Sequence, residues 1–209
     1  SNGLSYNLGA PSEEANLYDD LAIEVGFSHD VFLMEREVTQ ALYQSVTGTS
    51  PSTFDGFCGS DCPVETVSWH EAANFANQLS NSAGINDRCY ECVSNGVSPT
   101  CFATKFPYAC EGYRLPTEAE WELVATEGRE TSIWSPTDSF FVTNESTECG
   151  GELEVSAGVA LGDFAWYCQN SGTRPNPVAS KIPTSDFGFH DLYGNVGEWM
   201  HDTAAALPL

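Results

Sequence analysis

Basic side chains are scarce: seven Lys and Arg stand against thirty Asp and Glu in 209 residues, a formal net charge of −23. A field of that sign repels phosphate backbones and anionic lipid surfaces, which excludes nucleic acid as a partner. Apolar runs long enough to cross a bilayer are lacking as well, so no membrane span is expected. There is no H-x-x-x-H metal grip, no G-x-S-x-G nucleophile elbow and no glycine-rich phosphate cradle, and His29, His70, His190 and His201 are scattered along the chain. No internal repeat or low-complexity linker divides it, and residues 1–209 read as a single domain. No secretory leader opens the sequence, and Ser1 reads as the start of a mature or trimmed chain.

What the chain does have is acid, cysteine and loop-forming sequence. The acidity has two compatible readings, a solvated surface suited to external water and carboxylates gathered around a hard cation such as calcium. The eight cysteines, at 58, 62, 89, 92, 101, 110, 149 and 168, are even in number and lie in Gly-, Ser- and Asn-rich sequence, which points to disulfides and a secreted or cell-surface location. Cys58 and Cys62 can clip a short turn, the 89–110 group is expected to pair within itself, and Cys149 is left for Cys168. Four thiolates at 89, 92, 101 and 110 are also compatible with zinc, although the second closely spaced pair of a zinc ribbon is missing. Asn144, Glu145 and Ser146 form a glycosylation sequon.

Three helices are well punctuated. Thr39 caps the first, in which Ala41, Leu42, Ser45 and Val46 follow helical spacing up to Gly48. Ser68 and Glu71 form a capping box for the second, with Trp69, Ala72, Ala73, Ala76 and Leu79 on one face. Thr117 and Glu120 do the same for the third, where Trp121, Val124 and Ala125 face inward and Gly128 closes. Residues 22–38 suggest one or two edge-like strands with a turn at His29 and Asp30. The tract from about Glu130 to Pro183 reads as long ordered loops that need staples or metal.

Four stretches in fixed order, "MEREVTQALYQSVTGTSPSTF", "CPVETVSWHEAANFANQLS", "GYRLPTEAEWELVATEG" and "AWYCQNSGTRPNPVASKIPTSDFGFHDLYGNVGEWMHD", resemble the formylglycine-generating enzyme (sulfatase-modifying factor) domain. The likeness runs from Leu8 to Asp202, with "NLGAPSEE" similar to the family's M-G-S-P-x-x-E opening. It implies an α+β fold related to the C-type lectins, with little regular secondary structure and calcium holding the loops. It also implies a calcium site at Asp191, the carbonyls of Gly194 and Val196, and Glu198. The residues agree on their own account, because two carboxylates flank a glycine-permitted tight turn. Trp69, Trp121 and Trp199 are read as core.

The same resemblance places the catalytic copper(I) cysteines of active members beyond the segment ending at Trp199. No cysteine within these 209 residues matches them, and Gly197 stands where the family has an aromatic. The domain is therefore expected to be C-terminally incomplete relative to the family, with no catalytic and no cofactor-binding residue of its own. Two functions follow as expectations. One is a secreted, non-catalytic binding or assembly module whose exposed apolar surface a protein partner or a second copy covers. The other is a copper-dependent oxidase converting a sulfatase cysteine to formylglycine, with its catalytic segment outside this chain.

Overall fold

The computed structural model describes residues 4–8, 23–94, 96, 98–128, 154–156 and 158–202. The elements run β1 (Leu4–Leu8), β2 (Ile23–Phe27), α1 (Gln40–Thr47), α2 (Trp69–Ser82), β3 (Tyr90–Ser94), β4 (Pro99–Ala103), α3 (Glu118–Thr126), β5 (Glu154–Ser156) and β6 (Val159–Ala160). The strands form three separate antiparallel pairs, β1–β2, β3–β4 and β5–β6, and outside these and the helices the described residues are short 3₁₀ helices, turns and loops.

Each helix starts where a side chain satisfies its orphan amides. The Thr39 hydroxyl accepts from Leu42 N at 3.1 Å, and Gly48 ends α1 in the left-handed region at φ 76°. Ser68 and Glu71 exchange both bonds of a capping box at the start of α2, as do Thr117 and Glu120 for α3. Two details differ from the sequence-based expectation. In α1 the buried residues are Gln40 and Tyr43, while Ala41 and Ser45 face solvent, because Tyr43 stacks on Phe75 of α2 at 5.1 Å and sets the rotation. The left-handed turn after α3 begins at Glu127, one residue before Gly128. Of residues 23–38 only Ile23–Phe27 is a strand, residue 22 lying outside the described residues. The segment after it is irregular, with Phe32 and Met34 exposed, and no strand among the described residues lies beside it.

The main core joins α2 to the β3–β4 hairpin through Ala73, Ala76, Cys89, Tyr90 and Cys101, with Trp69, Cys92, Cys110 and Leu115 packed on its margin. Disulfides are part of this core. Cys89–Cys110 and Cys92–Cys101 staple the hairpin, and Cys58–Cys62 closes the short turn before α2. The 89–110 group therefore pairs within itself, and its thiolates are unavailable to zinc. Cys168 is also disulfide-bonded; Cys149, its expected partner, lies outside the described residues, as does the Asn144 sequon. Closing a 21-residue loop such as 89–110 is worth about 3 kcal/mol in lost unfolded-state entropy.

Residues 110–116 lie against α2 at a close approach that fixes a glycine. A Cβ at Gly112 would sit 2.3 Å from the Asp87 carbonyl oxygen, and next to it Tyr113 N donates to the buried Ser80 hydroxyl at 2.8 Å. A second small cluster, Phe164 and Ala165 with Val159, Leu161, Tyr167 and Tyr193, carries the loops that lead to the end of the described chain. No helix among the described residues is long and apolar enough to cross a membrane.

Candidate functional site

Residues 187–202 form no regular element, and interactions with sequence-distant residues position them. The His190 amide donates to the Glu35 carbonyl at 2.8 Å and the Asn195 amide to the Trp166 carbonyl at 2.8 Å. Gly194 passes so close to Trp166 that a Cβ would sit 2.0 Å from that same carbonyl oxygen, and its φ of 97° favours glycine independently. Further along, the Trp69 indole donates to the Met200 carbonyl at 2.8 Å and the Trp199 indole to Val67 at 2.9 Å. The His201 amide donates to Pro116, and the His201 ring meets the Tyr90 hydroxyl at 2.8 Å. Asp202 accepts from Glu118 N at 2.6 Å, adding a second cap to α3.

A buried ion pair supports these contacts. Arg114 and Glu120 form a bidentate pair with both bonds at 2.7 Å, and Glu120 also accepts from Thr117 N at 2.8 Å. Burial pushes the Glu120 carboxyl up, but the Arg114 bonds and the Thr117 amide outweigh it and hold the group below its ordinary value. Burial lowers His201, with the Arg114 charge acting in the same direction.

The expected calcium ligands fall within this framework. Asp191 is buried, adopts φ 62°, and uses one carboxylate oxygen to accept from Ala179 N at 2.7 Å. Glu198 is exposed as a residue, yet burial around its carboxyl and then the Asp191 charge push it up to about 7. The Trp121 indole N–H lies near that carboxyl and favours its ionised form, yet it stays outside hydrogen-bond geometry and is a buried donor with no partner among the described residues. No hydrogen bond from a described residue ends on the carbonyls of Gly194 or Val196.

The structure adds a third carboxylate, Glu37, which sequence reading does not single out. Glu37 accepts from Asn195 Nδ2 at 2.7 Å and from Val196 N at 3.1 Å, tying the segment before α1 to the Gly194 turn. Burial pushes it up to about 9, and the charges of Asp191 and Glu198 push the same way. Glu37 raised by Asp191 and Glu198, Glu198 raised by Asp191, two carbonyls without described donors and one orphaned indole N–H make an oxygen-rich spot of like charge. Such a donor set fits a hard cation and offers nothing to a soft one. The fit concerns chemistry and charge alone: among the described residues no group of three or more His, Cys, Asp or Glu side chains is placed to hold a metal ion.

Beside this spot opens a cleft of about 800 Å³. Phe75 and Trp121 line its interior, Phe32 and Met34 one rim and Tyr113 and Trp199 another, while Glu37 and Glu198 stand on its wall. Phe32 is 97% exposed and Trp199 48%, so Trp199 is a rim residue and not core, its ring held by the single indole bond to Val67. Tyr108 and His29, stacked at 5.1 Å with Arg114 over the tyrosine ring, complete the wall. The described residues contain no free cysteine.

Comparison with known proteins shows the family and the fold. The sulfatase-modifying factor enzyme 1-like domain matches residues 13–207. The chaperone protein LppX of Paenibacillus barcinonensis is 27% identical over 200 residues, covering 91% of this chain and 68% of LppX. The formylglycine-generating enzyme of Mycobacterium tuberculosis is 29% identical over 154 residues, 68% of this chain but 46% of the enzyme, so the chain matches less than half of that relative's length. Among solved structures, Treponema denticola variable protein 1 superposes with a TM-score of 0.66 at 30% identity, covering 99% of this chain and 73% of that one. The chain belongs to the sulfatase-modifying factor enzyme 1-like domain family and has its fold.

Proposed function

We propose that this domain is an extracellular, non-catalytic binding or assembly module on a scaffold related to the C-type lectins, with calcium and disulfides holding its loops. The observation that carries the reading is the apolar cleft with Phe32, Met34, Tyr113 and Trp199 on its rim. An exposed apolar concavity of this size marks an interaction site. A protein surface fits it, either a partner's or that of a second copy. The disulfides suit an oxidising compartment, and the acidic surface suits external water. LppX, a relative matched over most of this chain, is named a chaperone, which is in keeping with a role in holding other polypeptides.

Asp191, Glu198 and the carbonyls of Gly194 and Val196 would hold the calcium, with Glu37 completing the acidic surround. The cation would supply charge neutralisation, letting all three carboxyls ionise without mutual repulsion. Glu37, through Asn195 and Val196, would transmit that neutralisation to the rim of the cleft.

A second reading, copper-dependent oxidation of a sulfatase cysteine, draws on the mycobacterial relative. Copper(I) requires thiolates, and the described cysteines are committed to disulfides. Oxygen uptake on a cysteine-containing peptide, with and without copper(I), separates the two. No copper-dependent uptake is expected, and turnover would replace the module with the oxidase. Light scattering on the same preparation identifies the occupant: a dimer in which Trp199 fluorescence is shielded means a second copy, and a monomer that binds an apolar dye means a separate partner. A monomer that neither shields Trp199 nor binds the dye would remove the cleft from the proposal.

A further inference from the structure

On the far side of α2 lies a second concavity, a polar groove of about 580 Å³ between that helix and β3. Asn74, Asn77, Gln78 and Asn81 line the helical wall at spacings of one and two turns, and Arg88 and Glu91 stand on the hairpin side. β3 pairs with β4 along one edge only, and Tyr90, Glu91 and Cys92 of β3 line this groove, with Ser94 two residues beyond its lining on the same edge.

At Tyr90 that edge is closed in an informative way. Asn77 Nδ2 donates to the Tyr90 carbonyl at 2.8 Å, and the Tyr90 amide donates to Asn77 Oδ1 at 3.4 Å. A side-chain amide thus occupies the place of a neighbouring strand's peptide group. Along an antiparallel strand the outward-facing amide and carbonyl recur every second residue, so the same edge reappears at Cys92 and Ser94. There no described residue pairs with the backbone, and the side-chain amides of Asn74, Gln78 and Asn81 make no hydrogen bond within the described residues. By contrast, His70 Nδ1 covers β4's outer edge by accepting from the Cys101 amide at 3.1 Å. The Cys92–Cys101 disulfide holds the open edge rigid beside the groove.

Strand addition is the recognition mode such an edge supports, with main-chain bonds giving affinity and flanking side chains giving selectivity. Carboxamides donate and accept equally, which matches a peptide backbone. Arg88 and Glu91 balance each other locally, and the −23 charge of the whole chain favours a basic visitor. We propose that an extended, net-basic peptide segment docks in this groove as a third strand on β3, pairing its main chain at Cys92 and Ser94 and flanked by the amides of Asn74, Gln78 and Asn81. The site is separate from the apolar cleft and does not depend on what the cleft binds.

The test uses the disulfide-intact full chain and a phage-displayed library of random dodecapeptides, with each selected peptide then synthesised. Enriched peptides are expected to be net basic and to slow hydrogen exchange of the Cys92 and Ser94 amides. Gln78→Trp, placed on the groove wall, should weaken them at least tenfold. N-methylation of the peptide at alternate residues should do the same with the protein unchanged, so a folding defect in the variant cannot decide the matter. Four results would overturn the proposal: no enrichment, binding that leaves those two amides exchanging as before, insensitivity to N-methylation, or protection of the groove by a neutral oligosaccharide and by none of the peptides.

Discussion

The α2–hairpin region is built from a helix and a strand pair, the 187–202 segment forms no regular element, and the two are held by different means. The hairpin side uses covalent bridges that are themselves core: Cys89 and Cys101 are fully buried among Ala73, Ala76 and Tyr90. The later segment relies on Asn195, Asp191, Glu37 and His201 reaching across the chain, and its three carboxyls oppose one another. A disulfide's stabilisation depends little on pH or on divalent ions, whereas a carboxylate cluster depends on both. The comparison teaches that the two regions should respond to different perturbations, with Arg114 and Glu120 as the joint between them.

That joint should show the largest effect. Glu120→Ala leaves the Arg114 charge buried without its partner, and a loss of about 3–5 kcal/mol is expected from urea unfolding, felt on both sides. Replacing Cys89 and Cys110 together by serine should cost about 3 kcal/mol and loosen the hairpin first, seen as faster amide exchange in β3 and β4. Gly194→Ala forces a Cβ onto the Trp166 carbonyl at a left-handed φ. About 1–3 kcal/mol should be lost, with exchange rising around residues 191–199 while the hairpin stays protected. If the hairpin loosened equally, the division into two regions would fail.

The smallest effect expected is a pH dependence. Burial holds the folded His201 pKa below its ordinary 6.5, so below that pH the unfolded chain takes up more protons than the folded one. Stability from this group is complete above 6.5 and declines as the pH drops through 6.5 toward the folded value. His201→Gln should remove this group's share of the decline in urea midpoint over that window. The opposite slope from Glu37 and Glu198 should be left, because their raised folded values of about 9 and about 7 make their contribution fall as the pH rises above 4.5. The acid limb from Glu120, whose folded pKa is held down, should remain, since its contribution is lost only below 4.5.

The locally encoded parts of this molecule are legible in its sequence. Ser68 with Glu71 and Thr117 with Glu120 are three residues apart, and their capping chemistry needs no tertiary knowledge. The Asp191–Glu198 turn is legible because two carboxylates flank two glycines within eight positions. Glu37 is not legible: it sits in the unremarkable run "MEREV", and its partners Asn195 and Val196 are 158 and 159 residues away. Glu120 illustrates the same limit, since its capping role is local while its Arg114 bond depends on how residues 107–116 fold back. Trp199 resembles core by composition, yet it is 48% exposed, with its indole bonded to the Val67 carbonyl.

In the proposed module a hard cation relieves the repulsion that Asp191 and Glu198 exert on Glu37. Calorimetric titration of calcium into chelator-treated protein tests this directly. About one ion should bind with a Kd no weaker than about 10⁻³ M, as in extracellular modules, and at about 100 times Kd it should add about 2.7 kcal/mol of stability. Asp191→Asn with Glu198→Gln should abolish both effects. Absence of calcium binding at millimolar concentration, or binding that survives the double substitution, would contradict the account.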